Sequence, residues 1–381
     1  MSEMKVLHVI NISGMGGAEK LLLQLLPALN SRVNTQCLIM HKAGAGDAAE
    51  QIARELRLKG INVFIFAYRR LTSKGIFTEL IRVISQGNYQ LIHSHLKYAD
   101  AWLAWMKFRK KIRIPVVTTM HGYNDAYENE NGFVIRKDLW RSPYFLISKW
   151  IYRQLDGFIL ISNIVKHFFV ETGLIGNRPN VVIYHGYEAT PEPLKIRKAS
   201  IPLQVAVPGR LLKRKGQQFA IESIAMLRKD GIDISLHLFG EGPNRAELEK
   251  LVAEKQLAHK IFLHGYVHGL LDRLKDMDII VVPSLWEGFG LVFLDAFAAG
   301  VPVVGFDLPA ANEIIRHEHN GLLAEPYSSV SLANAIRRLY DDAALRESLS
   351  AQAFKDLQYF TMDSMVNSYI SFYRQITGSL N

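Results

Sequence analysis

The stretch at residues 278–309 constrains the fold of this chain more than any other part of the sequence. It begins with Ile279–Val282, a short run of β-branched residues that a proline closes. Such a run is typical of a strand buried on both faces of a parallel sheet. A glycine-containing turn and a helical segment follow, and the helix is expected to end at Gly300 because a proline stands just beyond it. With a second buried strand over residues 301–305, the pattern predicts strand, turn, helix and strand in an α/β fold.

The turn between that strand and that helix carries residues suited to a ligand. Gly288 and Gly290 allow a close backbone approach, and the unsatisfied amides of the first helical turn suit a phosphate or an anionic leaving group. Glu287 and Asp295 are eight positions apart, which at about 100° per residue leaves them roughly 80° apart in projection. Both carboxylates can therefore face one cleft and accept hydrogen bonds from sugar hydroxyls. The alternative is that Glu287 only complements the helix dipole and that Asp295 is a solvated helix residue.

The run from Pro283 to Val304 resembles the signature of the family 4 retaining glycosyltransferases, which have the GT-B fold and in which two glutamates flank seven residues. The resemblance implies that Glu287 holds the hydroxyls of the donor sugar. It places Asp295 where the family uses a glutamate to hold the donor ribose. Aspartate is one methylene shorter, and this departure bears on donor preference. The resemblance also assigns donor binding to the turn residues Gly288, Phe289, Gly290 and Leu291.

Length and composition favour a two-domain cytoplasmic protein. The 381 residues are enough for two domains, each with its own core. No run of about eighteen uncharged apolar residues occurs, so we expect no membrane-spanning helix. The first residues lead directly into a predicted strand and lack the layout of a signal peptide. The single cysteine, Cys37, excludes an internal disulfide and offers no cysteine cluster for zinc.

Positive charge is concentrated in the first half of the chain. The net charge is +9, and residues 107–153 hold ten basic side chains against four acidic ones. Four tryptophans, Trp102, Trp105, Trp140 and Trp150, lie in or beside this region. Aromatic and basic residues together are typical of a membrane-interface helix, of nucleic-acid stacking, or of an amphipathic helix that buries its rings. We expect core packing or a peripheral contact with the inner face of the plasma membrane, and no nucleic-acid partner. A membrane contact would fit an acceptor carried on lipid.

The first half alternates predicted strands and helices, as in a parallel sheet. The first strand leads through Gly16 and Gly17 into a helix, so backbone amides can lie beside a phosphate. A later strand ends in His121, at the position where residues past strand ends line a ligand crevice. The plain structural alternatives are a tight turn and an imidazole satisfied by backbone. His93 and His95 have no acid or cysteine nearby and do not predict a metal site.

The composition of the sequence changes at residues 190–202, where three prolines and little apolar periodicity indicate a domain linker. The next predicted strand is followed by Arg210 and, five residues later, by Lys215 at the start of a helix. A guanidinium fork, a mobile ammonium and a helix N-terminus together suit a diphosphate. A solvated basic loop is the alternative. Asp276 and Asp278 lie at the entry end of a strand and are interpreted as loop residues, not as metal ligands.

The family resemblance implies a role for each of these residues. Gly16 and Gly17 would lie under the donor diphosphate and near the acceptor. His121 would contact the donor sugar, and Arg210 with Lys215 would clamp the donor pyrophosphate. Loops containing Gly240, Tyr266 and Val267 would surround the nucleotide base.

These signals fall in one order along nearly the whole chain, and that agreement is more specific than any single motif. The sequence therefore predicts an α/β protein of the GT-B fold, with two doubly wound Rossmann-like domains and an interdomain cleft. Residues 1–189 would form the acceptor-binding domain, to which residues 363–381 return. Residues 190–202 would be the linker, and residues 203–362 the nucleotide-sugar-binding domain.

The predicted function is a retaining glycosyltransferase that moves a sugar from a nucleotide diphosphate sugar, with a UDP-sugar favoured. The acceptor would be a glycan or a lipid-linked molecule in bacterial cell-surface polysaccharide or lipopolysaccharide synthesis. The enzyme would use no cofactor and no metal. Two alternatives remain: a non-catalytic nucleotide-sugar-binding or peripheral membrane protein, and a GT-B nucleotide-sugar epimerase.

Overall fold

The computed structural model describes residues 4–14, 16–122, 128–129, 132–133, 140, 142–188 and 201–378. The predicted linker lies outside this part except for residues 201 and 202, and so do three basic residues of the first half, Arg136, Lys137 and Arg141. The chain forms two compact units. The first comprises Met1–Tyr127, Ile135–Gly186 and Met362–Asn381, and the second comprises Glu128–Val134 and Tyr187–Thr361.

The strands are β1 (Lys5–Ile12), β2 (Asn34–Lys42), β3 (Asn62–Tyr68), β4 (Leu91–His95), β5 (Val116–Met120), β6 (Glu128–Asn129), β7 (Gly132–Phe133), β8 (Gly157–Leu160), β9 (Asn180–Val182), β10 (Leu203–Pro208), β11 (Ile234–Phe239), β12 (Ile261–Gly265), β13 (Ile279–Val282), β14 (Val303–Phe306) and β15 (Leu322–Ala324). The helices are α1 (Gly17–Asn30), α2 (Asp47–Leu58), α3 (Lys74–Gly87), α4 (Lys97–Phe108), α5 (Pro143–Tyr152), α6 (Asn163–Glu171), α7 (Gln217–Lys229), α8 (Arg245–Glu254), α9 (Leu270–Leu274), α10 (Leu291–Ala299), α11 (Ala311–Ile314), α12 (Ser329–Asp341), α13 (Ala343–Asp356) and α14 (Met362–Thr377). Short 3₁₀ turns at Lys213–Lys215 and Leu357–Phe360 precede α7 and α14.

The first unit is built on a parallel sheet of seven strands in the order β3-β2-β1-β4-β5-β8-β9. Every residue of β1 after Lys5 is buried, as expected for a strand covered by helices on both faces. The chain winds outward in one direction from β1 to β3 and in the other from β4 to β9. The junction between β1 and β4 is therefore a topological switch point, and the carboxyl ends of these strands border a crevice.

Helices α1 and α14 cover one face of this sheet. Their apolar side chains pack with the inward residues of β1, β4 and β5, and the cluster includes Leu21, Tyr369 and Tyr373. Burying large aromatic rings of this kind stabilises a core by roughly 2–3 kcal/mol for each side chain. The last helix is therefore part of the first unit, although its sequence follows the second.

The second unit has a parallel sheet of six strands in the order β12-β11-β10-β13-β14-β15. Helices α7, α8 and α12 bury one face of it through a continuous apolar cluster that includes Ile221, Leu248 and Ile336. The switch point lies between β10 and β13, which are neighbours in the sheet. The segments that leave these two strands carry most of the predicted donor-binding residues.

Most predicted elements occur with small shifts in their ends. Helix α10 ends at Gly300, which has the left-handed φ of 66° that favours glycine at a C-cap. The following strand begins at Val303, two residues later than predicted. Strand β9 ends at Val182, and five residues later the amide of Tyr187 bonds the carbonyl of Phe360. In the described part of the chain, none of the helices combines the length and apolarity needed to cross a membrane.

Candidate functional site

The buried pair formed by Lys215 and Glu287 lies at the switch point of the second sheet. The Lys215 ammonium bonds one oxygen of the Glu287 carboxylate, and the hydroxyl of Ser284 donates to the same oxygen at 2.8 Å. The side chains of Lys215 and Glu287 are only 16% and 11% exposed. Burial raises the pKa of Glu287, but the neighbouring Lys215 ammonium outweighs it and the net pKa is below the usual range. Glu287 is therefore an ionised hydrogen-bond acceptor.

A glycine makes this pairing sterically feasible. Gly216 has a φ of 67°, and a Cβ atom on it would lie 1.9 Å from the carbonyl oxygen of Pro283. Only glycine allows the segment after β10 to approach the segment after β13 so closely. A backbone hydrogen bond of 2.8 Å from the amide of Leu285 to the carbonyl of Arg214 joins the same two segments. The carboxylate of Glu287 thus reaches Lys215, the last residue of the 3₁₀ turn.

Arg214, which the sequence favours less than Arg210 and Lys215, also faces the carboxylate. Its guanidinium carbon lies 4.4 Å from the centre of the Trp286 ring, a cation–π contact, and Nη1 is 4.0 Å from Oε2 of Glu287. The available signal was the Trp286–Glu287 pair, which offers an aromatic face beside an acid. The environment of Glu287 thus includes two cations.

Arg210 lies on a second group of loops at the same edge of the sheet. Its side chain is exposed just past β10, and the amide of Leu211 bonds the carbonyl of Glu241 at 3.0 Å. A Cβ atom on Gly240 would lie 2.1 Å from the carbonyl oxygen of Gly209, so glycine is required for this contact too. The amide of Gly240 in turn bonds the carbonyl of Gly265 at 2.8 Å.

The loop after β12 follows directly from Gly265. Tyr266 is 65% exposed, and Val267 beside it is partly buried. The amide of Gly240 bonds the carbonyl of Gly265, so this loop adjoins the loop after β11, which in turn bonds the loop that holds Arg210 through Leu211 and Glu241. The predicted residues Arg210, Gly240, Tyr266 and Val267 therefore come from three adjoining loops.

The glycine turn before α10 is tightly packed at Phe289 and Gly290. Gly290 has a φ of 90°, and a Cβ atom there would meet the ring of Phe293 at 2.7 Å. Phe289 is only 3% exposed, and its ring lies 6.0 Å from that of Phe360. The side chain of Phe289 is therefore not available to a ligand. Phe289 and Gly288 can offer a ligand only main-chain groups. Leu291 is the first residue of α10, where helix amides lack intrahelical partners.

Asp295, on the next turns of α10, has a partner that the sequence reasoning did not identify. The hydroxyl of Tyr187 donates a 2.9 Å hydrogen bond to Oδ1 of Asp295. Burial and the Asp295 carboxylate both raise the pKa of Tyr187, so the phenol keeps its proton. No spacing rule could have found this pair, because its two residues are far apart in the chain.

In the first unit, Gly16 and Gly17 begin α1. The amide of Gly16 bonds Oε2 of Glu19 at 3.0 Å, and Gly16 is the N-cap residue of the helix. Burial raises the pKa of Glu19, which is almost fully enclosed. A Cβ atom on Gly17 would meet nothing within 4 Å. Among the described residues of this turn, Gly17 therefore leaves room for another group, as does Gly14.

His121 follows β5 and is partly buried. Its Nε2 lies 3.3 Å from Nδ1 of His95, while burial and nearby His185 lower the pKa of His121 to about 3. The imidazole is therefore neutral at physiological pH and can serve as a hydrogen-bond partner. His121 is predictable from the sequence, whereas the contact with His95 that orients it depends on the tertiary structure.

A cluster of three buried histidines in the first sheet has the composition of a metal site. Nitrogen atoms of His8, His93 and His95 lie within 4.8 Å of one another. Both nitrogens of His93 already have hydroxyl partners, Tyr373 at 2.6 Å and Thr119 at 2.7 Å. A metal bound by all three rings would have to displace one of these hydroxyls. The structure therefore favours hydrogen bonding over metal binding by this cluster.

The predicted site residues thus form groups within each unit. In the second unit, Lys215 and Glu287 touch, Asp295 bonds Tyr187, and Arg210 lies on the adjoining loops. In the first unit, Gly16, Gly17 and His121 follow the strands that flank or adjoin the switch point.

Comparisons with known proteins cover both units. A model described as glycosyltransferase family 4 matches residues 15–190, and one described as glycosyl transferases group 1 matches residues 192–356. A D-inositol 3-phosphate glycosyltransferase from Pseudarthrobacter chlorophenolicus is 34% identical over 70% of this chain and 66% of that protein. The lipopolysaccharide core biosynthesis glycosyltransferase LpsD of Rhizobium meliloti is 32% identical over 43% of this chain and 47% of that protein. The chain covers only 20%, 38% and 43% of the length of three other curated relatives.

The fold comparison gives the same result. The structure of Anabaena HepE in complex with UDP matches with a TM-score of 0.79 at 20% identity, over 98% of this chain and 100% of that one. The two doubly wound units and the two family models that match them in turn define a glycosyltransferase of the GT-B class. Within that class, this chain belongs to the family 4 glycosyltransferases. The predicted fold class, family and enzyme class are thereby confirmed.

Proposed function

We propose that this enzyme transfers a sugar from a nucleotide diphosphate sugar, most favourably a UDP-sugar, with retention at the anomeric carbon. The observation that supports this most is the contact between Lys215 and Glu287. A nucleotide sugar joins its sugar directly to its diphosphate, so a site for it needs a hydroxyl acceptor beside a phosphate-binding cation. Glu287 and Lys215 provide these two groups next to each other.

The remaining donor contacts follow from the same edge of the second sheet. Arg210 binds the diphosphate with Lys215, and the loops with Gly240, Tyr266 and Val267 surround the base. Asp295, with Tyr187 bonded to it, holds the ribose. UDP is the favoured nucleotide because UDP is bound in the structure of the similar protein HepE.

The proposed mechanism needs no side-chain nucleophile and no metal. The acceptor hydroxyl attacks from the face that the diphosphate leaves, and its proton passes to a phosphate oxygen. Arg210, Lys215 and the backbone amides from Gly288 to Gly290 stabilise the charge that develops on the leaving diphosphate. His121 hydrogen-bonds a hydroxyl of the donor sugar and orients it.

We propose a glycan or lipid-linked acceptor in the synthesis of a bacterial cell-surface polysaccharide or lipopolysaccharide. The support is twofold. LpsD, one of the similar proteins, is named for lipopolysaccharide core biosynthesis. The first unit also exposes apolar side chains on α4 and α5 that suit a lipid surface.

We define the aromatic patch as Trp105, Phe108, Leu146, Ile147 and Trp150. The first four side chains are between 44% and 58% exposed, and the ring of Trp150 contacts those of Trp105 and Phe108. Trp102, one turn earlier on α4, is instead buried and belongs to the core. Several basic residues lie close to the patch in the sequence, including exposed Lys110 and Lys111. Exposed rings beside cations fit an anionic membrane surface, so we place the enzyme on the inner face of the plasma membrane.

Vesicle sedimentation tests the membrane contact. The wild type should sediment with vesicles that contain phosphatidylglycerol, and replacing Trp105 and Phe108 by serine should reduce the bound fraction several-fold. Leu58→Ser is the matched control, because Leu58 is 82% exposed on α2 of the same unit. Equal binding by all three proteins, or none by the wild type, would refute this contact.

A thermal-shift panel tests the donor site. UDP, GDP, ADP and their common sugar conjugates are added to the wild type, to Arg210→Ala and to Lys213→Ala. Lys213 is the control, since it lies on the same loop but its side chain is 80% exposed. A stabilisation by UDP that Arg210→Ala abolishes and Lys213→Ala retains supports the proposal. No shift with any nucleotide would contradict the donor site and favour a peripheral membrane protein. Incubation with the bound donor alone then tests the epimerase alternative, because an epimerase would convert the donor without an acceptor.

A further inference from the structure

Three histidines of the first unit form a hydrogen-bonded line that ends at the carboxyl edge of the first sheet. We call His8, His95 and His121 the histidine line. Nδ1 of His8 lies 3.0 Å from Nε2 of His95, and Nδ1 of His95 lies 3.3 Å from Nε2 of His121. Each ring comes from a different strand or strand end, and the three strands are neighbours in the sheet. The line thus connects the buried core with His121.

The ring geometry identifies these contacts as hydrogen bonds. The centroids of His8 and His95 are 5.3 Å apart and their planes differ by 16°. That separation is about the largest that a 3.0 Å N···N contact between two imidazoles allows, so ring centres and nitrogens are nearly collinear. A metal bonded to both nitrogens at the 2.0–2.1 Å of zinc–imidazole bonds would have to lie off this line, away from the direction in which both nitrogen lone pairs point. One nitrogen must therefore carry the hydrogen that the other accepts.

Burial keeps the three rings neutral. It lowers the pKa of His8 to about 3, and it lowers that of His95 well below the ordinary value, with His93 and His8 adding to the effect. The pKa of His121 is lowered to about 3 by burial and by His185. A neutral imidazole has one N–H donor and one bare acceptor nitrogen. Each hydrogen bond along the line therefore fixes the direction of the next.

The buried end of the line selects one of the two directions. In the described part of the chain, no group hydrogen-bonds Nε2 of His8, which is fully buried. If the line ran from His121 inward, this atom would be an N–H with no acceptor. If it runs outward, the atom is a bare nitrogen, and buried acceptors without partners are more common than buried donors without partners. The outward direction is therefore the more stable one.

We infer that His8 and His95 are positioning residues that hold His121 in the tautomer with its hydrogen on Nδ1. In this arrangement His8 donates to His95, and His95 donates to Nε2 of His121. No described residue bonds Nδ1 of His121. This step rests on the proposed function, in which His121 contacts the sugar of the nucleotide sugar. The Nδ1–H group of His121 then donates a hydrogen bond to that sugar, so it selects a hydroxyl whose oxygen accepts.

Long-range ¹H–¹⁵N NMR on the whole protein labelled with ¹⁵N-histidine tests the tautomer directly, without any substrate. Bare and hydrogen-bearing ring nitrogens resonate in separate ranges, and His121→Gln identifies the signals of His121. The expected result is a bare Nε2 and a hydrogen-bearing Nδ1. A hydrogen on Nε2 would overturn the inference, whatever the enzyme proves to transfer.

Three variants test the role of His95. His95→Leu removes the donor, so the population of the Nε2–H tautomer of His121 should rise. His95→Asn places an amide near the position of Nδ1 and should retain part of the wild-type tautomer. His93→Gln is the control, because His93 stacks on His95 with centroids 4.2 Å apart but bonds Tyr373 and Thr119 instead. An unchanged His121 spectrum in His95→Leu would refute the positioning role.

Kinetics with the donor identified by the thermal-shift panel then separate this inference from the proposed function. His95→Leu should lower kcat about tenfold, while affinity for UDP alone stays within twofold, because UDP lacks the sugar. Normal kcat in a His95→Leu protein with an altered tautomer would show that the tautomer has no role in positioning. If the thermal-shift panel identified no donor, the proposed function would fail, but the NMR result on the tautomer of His121 would still hold.

Discussion

The hydroxyl of Tyr187 donates a 2.9 Å hydrogen bond to Oδ1 of Asp295. Asp295 stands where similar enzymes are expected to have glutamate, and its carboxylate lies one methylene closer to the helix. Tyr187 approaches from the segment that pairs with Phe360 and Thr361, so the phenol is held by backbone contacts in the same unit. The shorter acid and the tyrosine therefore act as one hydrogen-bonding pair.

Tyr187→Phe tests this pair. The variant removes a hydrogen bond to a carboxylate, which should cost about 1.5–3 kcal/mol of the free energy of unfolding, measured by urea denaturation. UDP affinity should fall as well, because the carboxylate loses its fixed orientation. Tyr359→Phe is the control, since Tyr359 is 65% exposed in the same unit. A double-mutant cycle with Asp295→Asn that shows no coupling would contradict the pairing.

Lys215→Met should destabilise the second unit. It leaves the buried carboxylate of Glu287 without its closest cation, and removing one partner of a buried ion pair costs about 3 kcal/mol at the lower end of the usual range. The lower end applies because Arg214 remains 4.0 Å away. Lys213→Met is the control, because Lys213 lies in the same 3₁₀ turn and its side chain is largely exposed. This variant should change the free energy of unfolding by less than about 0.5 kcal/mol. Adding Glu287→Gln to Lys215→Met should restore part of the loss; further destabilisation would argue against an unpaired charge as the cause.

Gly17→Ala should separate folding from ligand binding. A Cβ atom at this position has open space and the residue begins α1, so alanine should preserve the melting temperature or raise it slightly. If the donor diphosphate approaches the turn, the same methyl group should raise the KM for the donor several-fold. Gly16→Ala differs because its Cβ would lie 2.9 Å from Oε2 of Glu19, so it should lower the melting temperature. An unchanged KM in Gly17→Ala would remove this turn from the donor site.

Stability should fall as the pH drops below about 6.5. Burial lowers the pKa of His8 to about 3 and that of His185 to about 4, whereas a histidine in the unfolded chain titrates near 6.5. Between these values the unfolded state binds protons that the folded state excludes, so acid favours unfolding. At pH 5 the effect is about 2 kcal/mol for His8 alone. Asp100 offsets part of it, because burial raises its pKa to about 6 and the folded state then takes up a proton.

Urea denaturation at pH 7.5 and pH 5.0 measures this dependence. The pH effect should be smaller in His8→Phe, which removes one buried imidazole. His167→Phe is the control, because His167 lies on α6 of the same unit and is exposed. Equal pH effects in the wild type and in His8→Phe would mean that His8 does not contribute.

Much of the fold follows from local sequence patterns. The sequence predicts the buried strand β13, the glycine turn after it and the end of α10 at Gly300. These features are predictable because strand burial, helix capping and backbone φ depend on neighbouring residues in the chain. The family resemblance rests on short sequence motifs of the same local kind. These motifs identified Arg210, Lys215 and Glu287 as candidate site residues. Chain order also indicated two doubly wound sheets, since strands and helices alternate in both halves.

The contacts that orient the candidate groups depend on tertiary structure. Tyr187 meets Asp295 across 108 positions of sequence, and His8 meets His95 across 87. Histidines at alternate positions of one strand share a face, which is a local rule, but only the order of strands in the sheet places His8 beside them. The sequence by itself determined which elements form and which chemical groups they carry. The tertiary structure decided which groups touch, because hydrogen bonds and ion pairs depend on distances of a few ångströms that spacing along the chain does not specify.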